Sequence, residues 1–281
     1  MRTGDRLMAL GTAIATAVIV GFIGFPLLAI FLKVPVGTLF AQLHSPVAID
    51  ALKVSLRTTV IALALIVVIG TPVAYRIGTA PFRGSSAITT LIELPLVLPP
   101  AVAGIALFAA FGRFGLLGGP LRALGVEIPF TQTAVVMALA FVSLPFFVRQ
   151  AIAGFASIDP QILGASRTLG AGEARTFLRV AVPLARPSLT AGAILSFARA
   201  LGEFGATIMF AGSLQGSTQT LPLAVYGQFS SGNVDTALAI AALLVAVSVG
   251  LFAGGRVLLR ARAGDNEALW AIPSGSRSVT A

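Results

Sequence analysis

The chain has 281 residues, of which 57% are hydrophobic and only 10% charged, with a mean hydropathy of +0.97. A soluble domain carries about a quarter charged residues, so this composition needs a bilayer as its solvent. The complete lack of cysteine excludes disulfides, thiolate metal sites and Cys nucleophiles. The single histidine, His44, leaves no basis for a His-built metal site or a Ser-His-Asp triad. The net charge of +9 sits at the ends of apolar runs; this is a topology signal and argues against nucleic acid as a partner.

Lipid offers no partner to free backbone groups, so each crossing must be helical and about 20 residues long. The expected fold class is therefore all-α and integral to the membrane, with six spans. A basic start leads into a first span over residues 7–32, too long for a signal-peptide core. Residues 33–53, with Pro35, His44, Pro46 and Asp50, are expected to form an extramembrane loop. A second span covers 54–74, and Arg76 and Arg83 mark a short basic loop. The third, 87–111, holds Pro95, Pro99 and Pro100 and is predicted to be kinked or broken. Glu93 near its start is expected to pair with a neighbouring arginine. A Gly-rich loop with Arg113, Arg122 and Glu127 follows, then a fourth span over 131–148. The fifth is predicted over 188–210 and the sixth over 236–258, joined by a loop rich in Gly, Ser, Thr and Gln. Residues 1–262 thus read as one membrane domain, and 263–281 as a polar, disordered tail.

Six spans put both termini on one side. About twelve Lys and Arg flank that face (Arg2, Arg6, Arg76, Arg83, five from Arg149 to Arg186, Arg256, Arg260 and Arg262), against about five on the other. The positive-inside rule then places both termini, and the polar segment between spans four and five, in the cytoplasm. No internal repeat is visible, unlike the repeats common in secondary transporters.

The polar segment, 155–186, is the one long Arg-bearing interruption of the apolar pattern. Asp159 and Pro160 suit the N-cap and first position of a helix. Gly164, Ala165 and Ser166 are small and permit close approach by a partner, and Gly170 suits a helix end with positive φ. A second short helix is expected over 173–181, with Phe177, Val180 and Val182 on an apolar side and Pro183 as its stop. Ala165, Ser166, Gly170, Val180, Val182 and Pro183 fall on the spacing of the cytoplasmic loop of ABC importer permeases, which this segment resembles. Gly164 stands where that family carries an acidic residue.

The fifth span, reading Ser196-Phe197-Ala198-Arg199-Ala200-Leu201-Gly202-Glu203-Phe204-Gly205-Ala206-Thr207, is similar to that of oxyanion permeases. With Thr220-Leu221-Pro222-Leu223-Ala224-Val225-Tyr226, it looks more like the molybdate and tungstate members than the sulfate ones. The resemblance implies a prokaryotic inner-membrane permease subunit, two copies of which form the pathway. It also implies two cytoplasmic ATPase subunits carrying ATP and Mg, and an extracytoplasmic oxyanion-binding protein. The segment around Gly164 to Pro183 would couple the chain to the ATPase. No phosphate-binding GxxxxGK[ST] occurs in the chain, so no catalytic residue and no cofactor are expected in it. A sulfate or thiosulfate permease, or a gradient-driven secondary transporter, are the alternatives.

Arg199 and Glu203 are i, i+4 within an apolar span, and so share a helical face. Buried charges in a membrane face a cavity or one another, so the pair either holds the fold or shapes an anion path. Ser196 and Thr207, with Ser143 and Thr59 behind them, are candidate pathway hydroxyls, although membrane hydroxyls often bond back to their own helix.

Overall fold

The structure, a computed structural model, describes residues 3–34 and 36–270. All regular structure among them is helical. Five helices are long and apolar enough to cross a membrane: Met8–Lys33, Pro46–Thr79, Gln132–Ala156, Glu173–Leu201 and Val234–Gly255. Ser85–Val97 and Pro100–Phe111 make a sixth crossing if counted as one broken span, bent by 117°. The break falls at Leu98-Pro99, where Pro100 can only begin a new helix. Five of the expected spans and the proline break are therefore present, and the broken pair supplies the sixth when it is counted as one crossing.

In chain order the helices are α1 (Thr3–Lys33), α2 (Val36–Leu43), α3 (Pro46–Thr79), α4 (Ser85–Val97), α5 (Pro100–Phe111), α6 (Gly118–Ala123) and α7 (Gln132–Ala156). They continue with α8 (Pro160–Thr168), α9 (Glu173–Thr176), a π turn (Phe177–Ala181), α10 (Val182–Leu201), α11 (Gly205–Ala211), α12 (Leu221–Ser230) and α13 (Val234–Trp270).

Five features differ from the sequence reading. The predicted 33–53 loop is mostly helical: Ser45 caps the start of α3 through the Ala48 amide at 3.3 Å, and Pro46 takes the first helical position. His44 closes α2, its Nδ1 lying 2.8 Å from the Phe40 carbonyl oxygen. Pro183 does not stop the helix begun at Glu173. The π turn before it absorbs one extra residue, and the Val182 amide donates five residues back to the Phe177 carbonyl. That wider turn accommodates a proline ring that would clash in a regular α-turn. The fifth span breaks at Gly202-Glu203-Phe204, giving α10 and α11. The polar run after it hides a ten-residue helix, α12. Last, α13 continues through the first part of the expected polar tail to Trp270; residues 271–281 lie outside the described residues.

The described chain divides into two compact units. Unit one comprises 1–62, 95–142 and 199–247. Its core joins Ala62, Ala103, Leu107, Leu139, Ala206 and Phe210, among others. Small residues dominate because α5 and α11 meet backbone to backbone: a Cβ on Gly104 would lie 2.6 Å from the Ala206 carbonyl oxygen. Such contacts substitute for hydrophobic drive between helices in lipid. A second cluster packs Leu221 and Ala224 of α12 on Ala48 and Ala51 of α3 and Ile240 of α13. In contrast, α1 buries none of its apolar window, leaving Phe22 and Leu32 both 82% exposed.

Unit two comprises 63–94, 143–198 and, of the described residues, 248–270. Phe147, Val148, Ala151 and Phe155 of α7 and Ala181 and Ala185 in the following helix are fully or nearly fully buried. Tyr75, Phe155 and Phe177 form an aromatic group with ring centroids 4.9 to 6.4 Å apart. It ties the end of α3 and the end of α7 to the π turn.

Candidate docking segment and polar groups of the spans

The segment around α8 is built from local rules. The Asp159 carboxylate accepts from the Gln161 amide at 2.8 Å, and Pro160 follows at the first position. Gly170 ends the turn with φ 83°, a conformation that costs a side-chain-bearing residue strain. The Ser166 and Thr176 hydroxyls lie 3.1 Å apart and hold α8 against α9. Arg167 and Glu173 approach to 3.9 Å at the surface, a contact worth little on its own.

Gly164, Ala165, Gly170 and Pro183 are exposed, while Ser166, Val180 and Val182 are half-buried. Leu169, beside them, is 88% exposed. The segment therefore offers small residues and an uncovered leucine at one tip. Its other end is anchored through Phe177 to Tyr75 and Phe155. A load applied at α8 and α9 has a packed route into the long helices of its own unit. Glu93 bonds Arg149 at 3.0 Å, the partnership expected from the sequence.

In unit one, Arg199 and Glu203 do meet, at 2.5 Å. The Glu203 side chain is 1% exposed and that of Arg199 27%. The second carboxylate oxygen accepts from the Ala206 amide at 2.7 Å. Glu203 thus bridges the break in the fifth span, bound to the end of α10 and capping the start of α11. Both of its oxygens are engaged, which suits a charge held for the fold.

The hydroxyls separate into two groups. In unit two, Ser196 donates to the Ser143 carbonyl at 2.9 Å and joins α10 to α7. That bond satisfies it, so nothing in its surroundings marks it as lining a path. In unit one, Thr207 is fully buried and its hydroxyl has no partner among the described residues. Thr59 and Thr220 share that condition. The sequence reading placed Thr220 in the run shared with molybdate permeases but did not count it among the pathway hydroxyls, because α12 was hidden in an apparently irregular run. The signal available was its Thr-Leu-Pro order, an N-cap followed by proline in the first turn. Also in unit one, a pocket of about 260 Å³ is lined by Arg113, Arg122 and Glu127 with Phe108, Leu121 and Phe130.

Residues 70–261 match the family described as the binding-protein-dependent transport system inner membrane component. The molybdenum transport system permease protein ModB of Mycobacterium tuberculosis is 43% identical over 81% of this chain and 86% of that protein. The molybdate/tungstate transport system permease protein WtpB of Thermococcus kodakarensis is 32% identical over 88% of this chain and 94% of that protein. Among solved structures, a chain of a bacterial alginate ABC transporter, in complex with a periplasmic protein bound to an alginate pentasaccharide, superposes with a TM-score of 0.71. It is 15% identical and covers 89% of this chain and 93% of its own.

Proposed function

The chain belongs to the binding-protein-dependent transport system inner membrane components, and from that membership we propose that it is the membrane-spanning subunit of an ATP-driven importer for molybdate or tungstate. The carrying observation is the exposed α8 and α9 segment, on which Gly164, Ala165 and Gly170 of the permease loop pattern are uncovered and the following helix is anchored. The relatives named for molybdenum and tungstate transport support the choice of anion.

In this reading two copies form the pathway, and two ATP-hydrolysing subunits, which carry the ATP and Mg, dock on residues 155–186 in the cytoplasm. An extracytoplasmic binding protein delivers the oxyanion. Residues 1–262 are the permease domain, both termini are cytoplasmic, and 263–281 is a cytoplasmic tail whose first part prolongs α13. Nucleotide-driven closure of the ATPase pair pulls on Gly164, Ala165, Ser166 and Gly170. Val180, Val182 and Pro183 carry the movement into α10 as a rigid-body displacement. Arg199 and Glu203 hold the broken fifth span together, and Ser196 fastens α10. Arg113 and Arg122 place positive charge on the extracytoplasmic pocket, where an incoming anion gains from it.

The test is competition. In proteoliposomes containing the whole importer, labelled molybdate uptake should fall with a few equivalents of unlabelled tungstate and persist in a large excess of sulfate. Uptake abolished equally by sulfate would assign the chain to sulfate transport instead.

A further inference from the structure

A buried hydroxyl of α3, Ser55, and the N-cap threonine of α12, Thr220, both lie at the start of α12. The Ser55 hydroxyl on α3 accepts from the Leu221 amide at 2.7 Å. Thr59 lies one turn further along the same face of α3, about 6 Å away by helix geometry. It is 1% exposed and its hydroxyl has no partner among the described residues. Thr58, next to it, bonds the Val54 carbonyl at 2.7 Å in the usual way. Thr220 is the N-cap of α12, is 2% exposed, and its hydroxyl makes no capping bond and has no other partner among the described residues. Pro222 has no amide to offer, so Leu223 carries the donor that an N-cap side chain would take.

The neighbouring hydroxyls are engaged: Thr218 accepts from the Leu214 amide, and Ser213 from Gln219 Nε2. The start of α11 differs, being closed by the Glu203 carboxylate. Valine would fill the places of Thr59 and Thr220 equally well without burying unpaired polar atoms, which is costly. With the Leu221 amide taken by Ser55 and the Ala224 amide by the Thr220 carbonyl, the Leu223 amide is the donor left in the first turn, and beside donor hydroxyls it is complementary to a ligand that only accepts hydrogen bonds and carries negative charge.

We propose that Ser55, Thr59 and Thr220, with the first turn of α12, form a transit site for a tetrahedral oxyanion. This deepens the importer reading and rests on it. Neutral donors hold the anion without a full counter-charge, so it is bound weakly enough to leave. Asp50, nearby on α3 and bonded to Gln215 at 3.3 Å, adds a negative charge that also limits retention.

The experiment uses the complete importer, with its ATPase and binding protein, in proteoliposomes supplied with ATP. Thr59→Val and Thr220→Val should each lower the maximal molybdate uptake rate about tenfold, with binding-protein-stimulated ATP hydrolysis retained, and Thr220→Ser should restore uptake. The unfolding midpoint of both valine variants should equal or exceed that of the wild type, since each removes a buried unpaired hydroxyl. Wild-type uptake by both valine variants would overturn the site, as would a lowered midpoint showing that the hydroxyls already serve the fold. A wild-type importer that accumulates molybdate, tungstate and sulfate no faster than empty vesicles would overturn the oxyanion reading itself.

Discussion

Glu203→Gln removes one charge and almost no volume, and it separates the two things Glu203 does. The amide oxygen can still accept from the Ala206 amide, now 2.7 Å from the carboxylate. The bond to Arg199 loses its ionic part, leaving a guanidinium 27% exposed without a counter-charge. Breaking a buried pair costs about 3–5 kcal/mol, and the partial exposure of Arg199 argues for the lower end, about 3 kcal/mol. At about 1.4 kcal/mol per decade this lowers the folding equilibrium more than a hundredfold. Arg199→Gln should cost at least as much, because it strands a carboxylate only 1% exposed. The double substitution leaves neither charge uncompensated, so its cost should fall short of the sum of the singles by more than about 1 kcal/mol. Reversible unfolding in mixed micelles measures all four proteins. Additive costs, or an Arg199→Gln protein as stable as the wild type, would refute the assignment of this pair to the fold.

Gly104→Val should destabilise the protein by about 3 kcal/mol or more, since its Cβ would lie 2.6 Å from a backbone oxygen and only helix displacement relieves that. The same unfolding assay reads it. Ser196→Ala should cost about 0.5–1.5 kcal/mol through the loss of its bond to the Ser143 carbonyl. Molybdate uptake per assembled complex should stay unchanged; a selective loss of uptake would instead restore Ser196 to the pathway. Asp159→Ala should cost about 1 kcal/mol through the lost cap, seen as faster amide exchange confined to the first turn of α8.

Much of this arrangement was legible because it obeys local rules. Apolar runs of bilayer length gave the spans, three prolines gave the break at Leu98-Pro99, and the spacing of Arg199 and Glu203 gave their meeting. Asp159, Pro160 and Gly170 took their expected cap and turn positions. What escaped depends on distant partners or on the exception to a local rule. Pro183 reads as a stop unless a π turn precedes it, and nothing in the residue order announces that turn. The start of α12 reads as loop because its Ser, Thr and Gln are polar, while the groups that stabilise it, Ser55, Ala48 and Ala51, lie far back in the chain. Ser196 and Thr207 look alike in sequence; only the Ser143 carbonyl distinguishes them.

The most direct test of the account is the energy source for accumulation. In proteoliposomes holding this chain with its ATPase subunits and binding protein, labelled molybdate should accumulate when ATP is supplied on the side bearing α8 and α9. Accumulation should stop when ATP is replaced by a non-hydrolysable analogue and should survive collapse of ion gradients. Accumulation that persists without ATP and ceases when the ion gradients collapse would contradict the claim and make the chain a secondary transporter.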